Sequence, residues 1–301
     1  MQKGPVTPKG FGDILPDEAK KRRFMINAIV PVLEKYGFSP IETPTIEFAE
    51  TLLGKYGEDE KLIYKFEDMG GRKLALRYDL TVPLARFIAN NLGLLTPTFS
   101  RYQIGQVFRG DNPQKGRKRE FTQFDFDTVG STDTAEDVKV IAGAIEGART
   151  VGLSNAILQI NDRELFDKIG FSKEAIIAID KIDKIGKDAV IKLLKETDLD
   201  QTEKMFAKLE KAEKTERLAK IFNELKDKGF KENEDFIFNP FLARGLNYYT
   251  STIFELKLDK TPGGLSIGGG GRYDNLIGMF AGRDIPAVGF SFGIDRIIDL
   301  I

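Results

Sequence analysis

The chain has 301 residues and 45 basic against 46 acidic side chains, a balance that excludes a wholesale polyanion binder and leaves charge to be read locally. It contains no Cys and no His, which excludes disulfides, zinc and copper sites, a thiolate nucleophile and an imidazole base. What remains is carboxylate-held Mg²⁺ or Mn²⁺ and catalysis by carboxylates, Arg, Lys, Tyr, hydroxyls or the substrate itself.

The N-terminus, "MQKGPVTPKGFGDILPDEAKKRRF", lacks the apolar block of a secretory signal, and no apolar run approaches the length of a membrane span. A cytoplasmic protein with no membrane partner is expected. "LPDEAKKRRFMINAIVPVLEKYG" predicts a helix from Pro16 to Gly37, kinked or split at Pro31. "FSPIETPTIEFAETLL" predicts an edge or interface strand around Pro44, then a helix. "LIYKFEDMGGRKLALRYDLTVPLARFIANNL" predicts a hairpin through Gly70-Gly71 and a helix opened by Thr81 and Pro83. "TFSRYQIGQVFRG" and "REFTQFDFDTVG" predict a strand pair that brackets a basic loop carrying Arg109, Lys115, Arg117, Lys118 and Arg119. An amphipathic helix over "TDTAEDVKVIAGAIEGARTVGL" and a strand over "AILQIND" follow.

From about 172 to 231 the chain is Lys-, Glu-, Ala- and Leu-rich with helical periodicity and no Pro, a helical module whose faces are either solvated or turned to nucleic acid. Strands return in "FIFNPFLARGLNYYTSTIFELKL", "GLSIGGGGRYDNLIGMF" and "IPAVGFSFGIDRIIDLI". Short antiparallel strands with flanking helices give an α+β fold rather than a doubly wound one.

Several residues resist a purely structural reading. Four successive glycines, Gly268 to Gly271, cost conformational entropy and imply close approach of backbone to a ligand or a neighbouring strand. Arg244 and Asp79 are charged side chains in apolar runs and need partners. Tyr248 and Tyr249 serve either as core aromatics or as site hydroxyls. Alternation sets Asp125 and Asp127 on one face of their strand, toward solvent or a pocket. Arg109, Arg117, Arg244 and Arg296 converging on a triphosphate, with Asp79 and Asp127 beside a cationic substrate, would satisfy all of these together. The reaction implied is nucleotidyl transfer, which needs positioning and charge stabilisation more than a titrating base.

These motifs together resemble the class II aminoacyl-tRNA synthetases, and among them the histidyl-tRNA synthetase family, over essentially the whole chain. "YGFSPIETPTIE" with Pro44 resembles the first class motif, "GQVFRGDNPQKGRKREFTQFDFD" the second and "AVGFSFGIDRI" the third, while "RGLNYYTSTIFE", "GGGGRYDNL" and "LRYDLTVP" are similar to histidine-specific segments. The "FDFD" wording resembles the eukaryotic and archaeal branch. The resemblance implies a class II antiparallel sheet flanked by helices, with a catalytic core over 1–171 and 232–301 and a helical insertion over 172–231. It implies ATP with Mg²⁺, histidine and the tRNA(His) acceptor stem as ligands, and a homodimer with Pro44 at its seam.

Residue by residue, the resemblance implies Arg109 at the α-phosphate and the amino-acid carboxylate, and Arg117 at the distal phosphates. Asp111 goes with them to ATP, and Phe121 and Arg296 sandwich the adenine. Arg244 approaches the α-phosphate and the bound histidine where other class members hold a metal ion; it and Arg109 are the catalytic pair. Asp79, Thr81 and Gln123 hold the α-ammonium, Asp127 and Tyr249 read the ring nitrogens with Tyr248 nearby, and Gln114 meets the first acceptor base pair. The insertion is expected to fold over the acceptor stem, so that its deletion impairs tRNA use and spares adenylate formation. Asn247, Ser251 and Asp295 depart from the family's usual Asp, Gly and Glu. The chain also ends soon after the third motif, where an anticodon-binding domain would follow, so histidine activation is expected to survive and tRNA charging to be impaired. Two other readings share the fold: a non-catalytic regulatory subunit of the ATP phosphoribosyltransferase type, and a sensor segment of a larger kinase.

Overall fold

The computed structural model describes residues 5–113, 118–195, 199–245, 248–258 and 264–300. Pro16, whose missing N–H costs nothing in a first turn, opens α1 (Pro16–Lys35), and Asp17 and Glu18 complement its dipole. The helix is not split at Pro31; it runs on for a further turn. Met25, Ile29 and Leu33 are fully buried along its face, and this burial outweighs one lost hydrogen bond. The chain then forms β1 (Ser39–Pro40), β2 (Ile46–Phe48), α2 (Ala49–Leu52), β3 (Lys65–Glu67), β4 (Lys73–Leu76) and α3 (Thr81–Asn91). Strands β2, β4 and β3 make a small antiparallel sheet in that order, with the Gly70-Gly71 turn between β3 and β4. Pro44 lies exposed between β1 and β2, outside either ladder. A two-pronged ion pair from Arg86 of α3 to buried Glu47 of β2, 2.7 Å on each arm, fastens the helix to this sheet.

The remainder runs β5 (Phe99–Phe108), β6 (Glu120–Val129), α4 (Thr134–Thr150), β7 (Ile157–Asp162), α5 (Arg163–Ile169), α6 (Lys173–Ile179), α7 (Ile182–Ile185), α8 (Lys187–Lys195), α9 (Leu199–Glu210), α10 (Glu216–Asp227), β8 (Phe236–Phe238), β9 (Thr252–Lys257), β10 (Ser266–Arg272), α11 (Gly278–Ala281), β11 (Ala287–Gly293) and α12 (Ile294–Ile298). The large sheet has the order β1-β5-β6-β11-β10-β9-β7-β8, antiparallel except at its two ends. The fold is therefore α+β, a mostly antiparallel sheet flanked by helices. No helix among the described residues is long and apolar enough to cross a membrane.

Strand alternation divides the molecule into two layers. Phe124, Phe126, Phe254, Phe290 and Phe292 point to one side, where they join α1, α4, α10 and α12 in one core. The other side carries Gln123, Asp125 and Asp127 and grades into a second core with α2, α3, α5, α6 and α9.

The helical stretch 172–231 is not uniform in its packing. Helices α6, α8 and α9 contribute Ile176, Ile179, Val190, Phe206 and Leu209 to the second core, whereas Leu218, Ile221, Phe222 and Leu225 of α10 belong to the first. Buried Asp137 of α4 joins Arg217 of α10, at 2.6 Å, to Arg272 of β10, at 2.5 Å. Deleting the whole stretch would expose that core face, so it cannot test the insertion alone.

Candidate active site

The glycine run of β10 has a reason on each face of the sheet. A Cβ on Gly270 would stand 2.0 Å from the Gly289 carbonyl oxygen and 2.7 Å from the Phe254 ring, and one on Gly268 would enter the Phe290 ring. These two glycines let the aromatic core close. A Cβ on Gly269 would meet the Arg244 guanidinium at 2.6 Å, and one on Gly271 the Tyr249 ring at 2.8 Å. On the neighbouring strand, a Cβ on Gly289 would strike the Asp127 carboxylate. Both alternatives for the run hold at once: Gly268 and Gly270 answer to neighbouring strands, Gly269 to Arg244, and Gly271 to both, since its Cβ would also meet the Thr252 carbonyl oxygen at 2.7 Å.

The register sets out the rest. Gly269 lies beside Ser291, and Ser291 beside Asp125; one step along, Gly293 lies beside Gln123. Gln123 donates to Ser291 Oγ at 2.8 Å and to Asp125 Oδ1 at 3.2 Å, and its carbonyl accepts from Arg109 at 3.4 Å. Arg109 leaves the end of β5, donates to the Tyr78 carbonyl at 3.1 Å, and stacks over the Tyr78 and Phe121 rings at 4.3 and 5.1 Å. Arg244, over Gly269, thus stands in the row Gly269–Ser291–Asp125, and Gln123 with the guanidinium that it holds lies two strands over and two residues further along. Arg296 of α12 packs beside Gly293 and donates to the Ser266 carbonyl at 3.0 Å. Arg109, Arg244 and Arg296 therefore share one end of one sheet face.

Asp79, two residues before the start of α3, closes this face. Its Oδ1 accepts from the Thr81 and Val82 amides at 3.1 and 3.0 Å, capping the helix, and from the Tyr56 hydroxyl at 2.9 Å. The Tyr248 and Tyr249 rings pack 4.9 Å apart, with Tyr248 against Tyr273 at 5.9 Å, and burial pushes both hydroxyls above the ordinary phenol range. Asp111 lies just beyond β5, where its carbonyl accepts from Arg119 at 2.8 Å. Gln114, Arg117 and Asn247 lie outside the described residues. Asp295 anchors α12, accepting from the Thr122 amide at 2.8 Å and pairing with Arg22 of α1.

Three further residues hold the candidate side chains. Arg101 is fully buried and pairs with Asp127 at 2.6 Å, and the Tyr273 hydroxyl donates to the same carboxylate. Glu255 pairs with Arg244 at 3.3 Å. Arg101 carries a signal like that of Arg244, a lone cation in an otherwise uncharged strand.

Burial governs the electrostatics. It pushes Asp79 and Asp127 above the ordinary carboxylate range, the latter against the pull of Arg101. Asp125 is pushed up to about 7, first by burial and then by Asp127, with Arg101 opposing. A face crowded with desolvated acids is suited to a cationic ligand. It also makes stability pH-dependent: an acid whose folded pKa exceeds its unfolded value takes up a proton on folding, so its contribution is present at low pH and lost as pH rises toward 7. Asp125→Asn is therefore expected to stabilise the ligand-free protein at pH 8 by on the order of 2–4 kcal/mol and to change little near pH 4. Thermal unfolding at the two pH values checks this; a variant less stable than the parent at pH 8 would contradict it.

The site and the fold have counterparts in known proteins. The family model described as histidyl-tRNA synthetase matches residues 10–297. The histidine–tRNA ligase of Aeropyrum pernix is 42% identical over 98% of this chain and 74% of its own length, and that of Treponema denticola is 37% identical over 98% and 72%. The crystal structure of histidyl-tRNA synthetase from Nostoc sp. PCC 7120 superposes with a TM-score of 0.85 at 31% identity, covering 99% of this chain and 75% of that one. A Bacillus halodurans protein described as an ATP phosphoribosyltransferase regulatory subunit/histidyl-tRNA synthetase shares the fold, with a TM-score of 0.83 at 24% identity over 99% and 84%. Matched along nearly its whole length by model, sequence and structure, the chain belongs to the histidyl-tRNA synthetase family.

Proposed function

We propose that this chain, as a histidine–tRNA ligase of that family, uses ATP to convert histidine to histidyl-adenylate and passes the histidyl group to tRNA(His). The observation that carries the reading is the set of three side chains lying over three glycines, Arg244 on Gly269, Tyr249 on Gly271 and Asp127 on Gly289, with Arg109 on the same face. A cation for phosphate, and a phenol and a carboxylate for a ring with two nitrogens, thereby share one floor.

No cluster of acidic side chains among the described residues could hold a metal ion, so Mg²⁺ would enter on the phosphates of ATP and neutralise part of their charge. The histidine carboxylate, already ionised, attacks the α-phosphorus; a P–O bond forms to it and the bond to the β-phosphate bridging oxygen breaks, releasing pyrophosphate. No proton has to be removed from the nucleophile, which suits a chain without His or Cys. Arg109 and Arg244 stabilise the charge that grows on the phosphorus oxygens. Arg117 would take the distal phosphates, Asp111 would assist at ATP, and Phe121 with Arg296 would enclose the adenine.

Asp79, Thr81 and Gln123 would hold the α-ammonium. Asp127, oriented by Arg101 and Tyr273, would take one ring nitrogen and Tyr249 the other, with Tyr248 behind it. Such a hydrogen-bonding specification rejects isosteres better than an apolar pocket does. Gln114 would meet the acceptor end of the tRNA. Ile46, Phe48 and Phe66 on the small sheet are 44%, 52% and 41% exposed beside Pro44, an apolar face that suits a second copy of the chain. A stable active monomer in light scattering would contradict the dimer.

Exchange of labelled pyrophosphate into ATP, dependent on histidine, tests the reading. Folded protein that shows no exchange, or exchanges equally well with other amino acids, would sink it and favour a regulatory role on the same fold.

A further inference from the structure

Lys257, the last residue of β9, is only 2% exposed, and a buried ammonium needs a charged partner. It has two. Its Nζ pairs with Asp183 of α7, in the helical stretch that follows the first half of the sheet, and lies 3.5 Å from Glu255 Oε2. The other oxygen of Glu255 accepts from Arg244 Nη1 at 3.3 Å. A continuous line of charge, Asp183–Lys257–Glu255–Arg244, thus runs from the insertion helices to the guanidinium over Gly269. Asp180, the C-cap of α6, reinforces the line: its carboxylate sits 3.1 Å from where a Gly245 Cβ would be, next in sequence to Arg244.

The division of the Glu255 carboxylate is the feature that matters. With Lys257 on one oxygen, Arg244 receives only a single-pronged hold through Nη1, which leaves its other nitrogens outside that pair. Without Lys257, both oxygens are free to take Arg244 in a fork-to-fork pair, the stronger geometry for guanidinium and carboxylate. That pair would draw Arg244 away from a phosphate. Loss of Asp183 has the opposite sense: Lys257 closes on Glu255 alone and loosens its hold on Arg244. Both changes misplace the same group.

We propose that Lys257 is a positioning residue for Arg244, and that Asp183 makes this positioning depend on the seating of α6 and α7, so that the insertion contributes to histidine activation and not only to tRNA contact. The proposal rests on Arg244 acting at the α-phosphate, so its test keeps the two claims apart.

Steady-state exchange is measured on the full chain. Lys257→Met is expected to lower kcat about 10- to 100-fold, the scale of a misplaced catalytic group, with KM for histidine within about threefold. Lys257→Arg, which restores a cation, should recover most of the loss, and Asp183→Asn should show a smaller fall in kcat. Lys187→Met, which breaks an exposed pair with Glu210 in the same insertion, should change nothing. Parental kcat in both Lys257→Met and Asp183→Asn, with Arg244→Ala inactive, would overturn the relay and leave the proposed function standing. Full activity in Arg244→Ala would instead remove the premise, overturning the relay and the role given to Arg244 while leaving histidine activation itself standing. If Lys257→Met does not fold, Asp183→Asn, altering a partly exposed side chain, decides. If the parent shows no exchange, the Arg244 Nε–H NMR resonance decides: a shift in Asp183→Asn supports the relay and an unmoved resonance overturns it.

Discussion

Arg244→Ala is expected to lower histidine-dependent pyrophosphate exchange by about 10²- to 10³-fold, the usual cost of deleting one preorganised donor to a developing oxyanion. The fold should survive. Arg244 lies over Gly269 and its ion partner Glu255 keeps Lys257 after the truncation, so no buried carboxylate is orphaned. Histidine affinity should fall far less than turnover, because Asp79, Gln123, Asp127 and Tyr249 are untouched. Exchange rates, equilibrium histidine binding and thermal unfolding separate these effects. Turnover within about threefold of the parent would mean that the guanidinium does not act on the reacting phosphate.

Two adjacent glycines give the second large effect, and they differ in what they break. Gly269→Ala drives a methyl group into the Arg244 guanidinium, 2.6 Å from Nη1. The obstacle is the far end of a flexible side chain, so the arginine moves, the strand stays, and activity falls while the unfolding temperature barely changes. Gly270→Ala drives the same methyl group to 2.0 Å from the Gly289 carbonyl oxygen and against Phe254. Backbone cannot yield in a central strand between β9 and β11, and the cost should reach the upper range of overpacking, about 3 kcal/mol or more. Unfolding curves and exchange rates on both variants check the contrast. Equal destabilisation of the two would mean that the alternation assigned to β10 is wrong.

Local chemistry made much of this structure legible in advance. Pro16, Gly37 and Gly70-Gly71 mark real boundaries because φ restriction and missing donors act without tertiary help. Asp79 and Arg244 stood out because a charge in an apolar run demands a partner wherever the chain goes. What stayed hidden depends on register. Lys257 in "FELKL" alternates with apolar residues and so reads as solvent-facing; only the crossing of α7 over the end of β9 shows it to be buried. Which glycine of four serves the site and which the core follows from the pairing of β10 with β9 and β11, and nothing within "GGGG" encodes it. The membership of α10 was hidden for the same reason: its amphipathic pattern states that one face is buried, and not that α4 covers it. The helix continues through Pro31 without splitting because the packing of Met25, Ile29 and Leu33 outweighs a local penalty.

The most direct measurement is a crystal structure with ATP, Mg²⁺ and histidinol, an analogue that lacks the attacking carboxylate. The α-phosphate is expected between Arg109 and Arg244, the adenine between Phe121 and Arg296, and the imidazole against Asp127 and Tyr249. A nucleotide bound away from Gly269, or an imidazole that leaves Asp127 to Arg101 and Tyr273 alone, would contradict it.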